Sequence, residues 1–212
     1  DIDTSGSILI NGKTTINGNG YTLTSLADEA IVIDTTDEVK INNYKIIGKS
    51  GHFGISVKNQ ESLIKLDEVT ITVDNGCAIY VAKNVLSGAT IYIENSNLSA
   101  LTAIAVWANF SGIQITDTIL TGVSERPNSG TDFGVFDIKA SKVNIIVYGG
   151  TISATTQAVN EQLAVVYVHS GYEDVAFSTT VETVIQLAGT AAIVNIDPAD
   201  TPTIGVGKQY KQ

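Results

Sequence analysis

The sequence predicts an all-β solenoid, a chain that winds through short strands in repeated turns, and three observations predict it. A phrase of the form small–Ile–x–Val recurs along the 212-residue chain. Each copy leads to a second short run in which apolar and polar residues alternate, the period-two pattern of a strand with one buried face. A constant five-residue step then joins that run to a third apolar point, and a fixed recurring period is the signature of a repeat fold.

The stretch Gly76 to Leu98 shows one full repeat: Ala78-Ile79-Tyr80-Val81, then Ile91-Tyr92-Ile93, then the corner Glu94-Asn95 and Leu98. The opening phrase also stands at Ala30-Ile31-Val32-Ile33, Gly54-Ile55-Ser56-Val57 and Ala103-Ile104-Ala105-Val106. Looser copies follow at Gly134-Val135-Phe136, Val165-Val166-Tyr167-Val168 and Ala192-Ile193-Val194. Taking Ile31, Ile55, Ile79, Ile104, Val135, Val166 and Ile193 as equivalent gives steps of 24, 24, 25, 31, 31 and 27 residues. The excess in the later repeats belongs in loops, at Thr121 to Asp132 and Ser153 to Gln162, which leave the same edge of successive repeats.

The corner is the most regular part. Ile41 to Ile46, Leu66 to Ile71, Ile93 to Leu98, Ile115 to Leu120 and Val147 to Ile152 all span five positions. The second corner residue is Asn43, Glu68, Asn95, Asp117 or Gly149. Asn, Asp and Gly tolerate a left-handed backbone, and Glu68 departs from that preference. Stacked Asn and Asp side chains are expected to hydrogen-bond from repeat to repeat.

With these residues in view, the repeat from about Ile8 to Ile196 resembles the right-handed parallel β-helix of the pectate-lyase-like superfamily. The resemblance implies three short sheets per coil and, with strands about 4.8 Å apart, seven to eight coils in a rod on the order of 35 Å long. The whole chain, 1–212, is read as a single domain. Residues 1–25 form the first coil, 26–196 the regular coils and 197–212 an irregular tail.

Composition narrows the function. The 22 acidic and 12 basic residues leave a formal charge of −10, which opposes binding to nucleic acid or an anionic membrane. No apolar run approaches a membrane span, and the expectation is neither a membrane-spanning chain nor an unprocessed precursor. The single Cys77 lies on an alternating strand, the place of a small core filler. The two histidines, His52 and His169, flank first-sheet strands on distant coils, which argues against a shared metal or catalytic pair.

The resemblance points to the first sheet and its flanking loops as the polysaccharide-binding face of the enzymes in that superfamily. Alternation maps Ser56, Tyr80, Ala105, Trp107, Phe136, Asp137 and Tyr167 onto that face. Tyr80, Trp107, Phe136, Asp137, Tyr167 and the only arginine, Arg126, are therefore the candidate ligand-binding residues; the aromatics suit sugar stacking or a protein contact. Glu125, Asp132 and Asp137 offer oxygens to Ca²⁺ but lack the spacing of a recognised cation loop, so no cofactor is implied. A glycosidase needs two carboxylates across a groove, and the first sheet offers only Asp137. The expectation is a non-enzymatic extracellular or cell-surface solenoid, an adhesin or a self-associating fibre, sheath or surface-layer subunit, with a glycan or partner protein as ligand. The alternative is a polysaccharide lyase or glycosidase, or a glycan-binding module, working in a first-sheet groove.

Overall fold

The computed structural model describes residues 1–58, 61–84, 86–124, 133–156, 163–188, 192–196 and 204–206. These residues form twenty strands and no helix, all joined through parallel pairing. No helix among them is therefore long and apolar enough to cross a membrane.

The strands fall into three parallel ladders. The first joins Ile8–Ile10, Glu29–Ile33, Phe53–Val57, residues 77–84 and 102–108, Phe133–Ile138, Leu163–Val168 and Ala192–Ile196. The second runs from Thr14–Asn17 through residues 38–42 and 63–67 to Thr90–Glu94, Gly112–Thr116, Asn144–Tyr148, Val175–Thr179 and Ile204–Val206. The third runs from Ile2–Thr4 through Thr22–Ser25 and residues 45–47, 70–73 and 97–100 to Ile119–Ser124, Thr151–Thr156 and Val184–Ala188. The strand Leu63–Asn84 contributes to all three in turn, bending between them. This pattern is consistent with a β-solenoid.

Alternation decides which side chains fill the centre. Ile31, Ile55, Ile79 and Ile104 of the first ladder, Ile41, Leu66, Ile93, Ile115 and Val147 of the second, and Leu23, Ile46, Ile71, Leu98, Leu120 and Ile152 of the third are all fully buried. β-branched residues suit a pleated surface packed on one side. Burying each such side chain is worth about 1.5–3 kcal/mol, an upper estimate because unfolded chains already bury part of that surface.

The five-residue corner is present as read from sequence. Asn43, Glu68, Asn95, Asp117 and Gly149 all have positive φ, between 46° and 73°. The repeat-to-repeat bonding differs in part from the expected stack of Asn and Asp. Asn95 Nδ2 does donate to Asp67 Oδ1 at 3.0 Å. The interior links, however, run through hydroxyls one position later, because those positions turn inward where backbone groups need partners. Ser96 Oγ accepts the Val69 N–H at 3.0 Å, and Thr118 Oγ1 accepts the Ser96 N–H at 3.2 Å.

The register of the later repeats differs by one residue from the sequence reading. Ile104 pairs with Phe136, not Val135, and Val166 pairs with Val194, not Ile193. The longer connection before Phe133 hid the shift, since Val135 imitates the opening phrase. At the start of the chain, Ile2–Thr4 form a strand on Thr22–Ser25. Of the two expected loops, Thr121–Ser124 and Ser153–Thr156 belong to strands, and residues 125–132 and 157–162 lie outside the described residues.

Candidate functional site

The register shift rearranges the first-ladder face. Val32, Ser56, Tyr80, Ala105, Asp137 and Tyr167 follow one another across six strands, one from each repeat. Phe136 is not on that face. It takes the inward place of Ile104, is fully buried and packs on Phe177 with ring centres 5.6 Å apart. Arg126, Glu125 and Asp132 lie outside the described residues.

The outward row is occupied by its own side chains. The Phe53 and Tyr80 rings stack at 4.6 Å with an interplanar angle of 20°, and Trp107 meets Tyr80 edge-on at 5.2 Å. These are ordinary favourable aromatic geometries. The Lys139 ammonium sits 4.3 Å from the Trp107 ring centre, a cation–π contact. Trp107 Nε1–H donates to Asp137 Oδ2 at 3.4 Å, and His169 Nε2 lies 2.8 Å from Asp137 Oδ1. His169 in turn meets the Tyr167 ring edge at 4.6 Å.

The consequence is a closed face. Asp137 is 7% exposed and Tyr167 5%, so neither stands free as the alternation alone implied. Ser56 and Ala105 are buried as well. Burial raises the Tyr80 hydroxyl above its ordinary value, partly offset by a hydrogen bond from the Lys83 backbone. Tyr80, Trp107, Asp137 and Tyr167 are thus brought together, but mainly as contacts between repeats.

The histidines have separate partners: His169 has Asp137, and His52 Nδ1 lies 3.4 Å from Asp28 Oδ1. Among the described residues no three His, Cys, Asp or Glu side chains converge as a metal set. Cys77 is buried, and burial pushes its thiol up to about 12, with the Asp137 charge adding to the shift. Such a thiol stays protonated at neutral pH and is no nucleophile.

A second face carries residues that the sequence reading passed over. On the outside of the second ladder, Lys40, Lys65 and Tyr92 stand in register on three successive repeats, and Asn42, Asp67 and Glu94 stand beside them in a parallel row. With Leu63 and Leu66 they line an open groove of about 500 Å³. That volume falls in the ~300–1,000 Å³ range of ligand clefts. Beyond Tyr92 the same face continues into a depression of about 160 Å³, lined in part by Gln114, Asn144 and Ile146.

The groove wall is organised by Glu38, whose carboxylate lies 2.7 Å from Lys65 Nζ and 3.2 Å from Lys40 Nζ. Hydrogen bonds from Lys65 and then Lys40 hold that carboxyl below the usual carboxylate range, and the same bond raises Lys65. The signal for this face was present in sequence. Lys40, Lys65 and Tyr92 each stand one residue before the inward Ile41, Leu66 and Ile93, so alternation turns all three outward.

No protein-family model, no curated protein and no solved structure matches this chain.

Proposed function

We propose that the chain is a right-handed parallel β-helix of seven to eight coils, similar to the pectate-lyase-like superfamily, serving as a non-enzymatic module at a cell surface or outside the cell. It acts there as an adhesin or as a subunit of a self-assembling fibre, sheath or surface layer. The observation that carries the reading is the closed first-ladder face. Its carboxylate, imidazole, indole and phenol groups are spent on one another across repeats, so they fix the stack rather than wait for a substrate. A general acid or base must reach a substrate proton, and both oxygens of Asp137 are already engaged by His169 and Trp107.

Two measurements test this. Negative-stain microscopy of the concentrated chain, with and without Ca²⁺, yields filaments, tubes or sheets for a structural subunit and discrete short rods for an adhesin module. A product assay on uronate and neutral glycans yields no cleavage. Turnover that disappears on changing Arg126 or Asp137 would overturn the non-enzymatic reading.

A further inference from the structure

We infer that the outer face of the second ladder is a binding site for an extended, uncharged polysaccharide lying along the stack, with Tyr92 as its central contact. This rests on the adhesin form of the function proposed above and gives it a site and a ligand class.

The face is elongated rather than a closed pocket. The larger groove and the smaller depression share Tyr92, and together they span the repeats from Lys40 to Ile146. Neighbouring repeats rise by about 4.8 Å, so equivalent side chains present a regular series that matches a polymer of ring units. A polymer has the length to use both depressions.

The lining chemistry suits hydroxyl groups. Asn42, Gln114 and Asn144 offer amides, Asp67 and Glu94 accept, and Lys65 donates. Adjacent hydroxyls of a sugar pair with such mixed donors and acceptors. Tyr92 is partly exposed on its strand and supplies an apolar ring face for the C–H side of a sugar. Asp67 is steadied by Asn95, and Lys65 by Glu38, so part of the lining is ordered before a ligand arrives.

Charge separates neutral from acidic chains. Glu38, Asp67 and Glu94 outnumber Lys40 and Lys65 around the groove, no charged side chain lines the smaller depression, and the chain carries −10 overall. The acidic excess and the net charge repel a polyuronate, and the smaller depression offers it no cation to pair with. A peptide strand binds best along an open sheet edge, where backbone groups pair, whereas here the face of a ladder is presented.

The test is calorimetric titration of the full chain with linear glucose and mannose oligomers, with galacturonate oligomers and an uncharged extended peptide alongside. Neutral oligomers bind, more tightly with length, and Tyr92→Ala weakens them about tenfold or more, the loss typical of a central aromatic contact. Gln114→Ala costs less, and Trp107→Phe leaves affinity unchanged. Tyr92→Phe keeps the ring and retains binding, and an unchanged melting temperature in Tyr92→Ala shows that its loss of affinity is not unfolding. Preference for galacturonate, binding of the peptide alone, binding insensitive to Tyr92→Ala, or no binding of any neutral oligomer overturns the site. Filaments seen by microscopy would leave the surface-structural reading standing in that case. Cleavage of an oligomer in a Tyr92-dependent manner would instead sink the non-enzymatic reading while keeping the site.

Discussion

The outer faces of the first and second ladders are built on the same pleated backbone, yet their side chains have opposite fates. Along the first ladder, Phe53, Tyr80, Trp107, Asp137 and His169 reach across to one another, and Asp137 is left only 7% exposed. Along the second, Lys65 and Tyr92 stand beside a groove of about 500 Å³, with the Lys65 side chain 44% exposed. Size and spacing make the difference. Aromatic rings on adjacent strands are wide enough to touch, whereas Lys40 and Lys65 both turn to Glu38 and leave room beside Asn42 and Asp67. Outward positions in a repeat fold therefore serve either as stack-fixing contacts or as binding surface, and the neighbours decide which.

The largest effect is expected inside the first ladder. Phe136→Ala removes a fully buried ring and should cost ~3–5 kcal/mol in denaturant unfolding. A loss below ~1 kcal/mol would put the ring on the surface and restore the unshifted register.

Equivalent carboxylates on the two faces sharpen the contrast. Asp137→Ala leaves His169 and Trp107 without their acceptor and should destabilise by about 1–3 kcal/mol. Asp67→Ala, on the open face, should stay within about 0.5 kcal/mol. Equal losses would erase the distinction.

Cys77 tests burial beneath the closed face. Its folded value is raised from an ordinary 9 to about 12, so its contribution to stability is complete below pH 9 and falls as pH rises toward 12. The slope is about 1.4 kcal/mol per pH unit for one group. Cys77→Ala should remove that part of the alkaline decline, leaving what the tyrosines contribute, while an unchanged decline would mean the thiol is accessible.

The smallest effect lies at a corner. Glu68 holds φ 53° where the equivalent repeats use Asn, Asp or Gly. Glu68→Asn should stabilise by about 0.5–1 kcal/mol, read as a raised melting temperature. Destabilisation would show that the Glu68 side chain has a role of its own.

These contrasts also show what was legible in the sequence. The three-part repeat, the inward isoleucines and leucines and the left-handed corners follow from alternation and from which residues tolerate positive φ. The later register was harder, because Val135 offers a β-branched residue one place before the true equivalent. A check was available: Phe136 and Asp137 are adjacent, and neighbours on a strand cannot both face outward. The Asp137–His169 contact is a diagonal pair between repeats, visible only once that register is right. The groove was missed for another reason. Lys40, Lys65 and Tyr92 read as ordinary solvated positions until the three strands are laid side by side. The hydrogen bond that Lys65 donates to Glu38 crosses repeats, and spacing alone does not specify it.

The central claim, one closed face and one open face, is tested most directly by nuclear magnetic resonance titration of the labelled chain with a neutral linear oligosaccharide. The account predicts shifts confined to residues around Lys40, Lys65, Tyr92 and Gln114, with the indole signal of the single tryptophan, Trp107, unmoved. Shifts centred on Trp107, Tyr80 and His169 would contradict it and return the ligand to the first ladder.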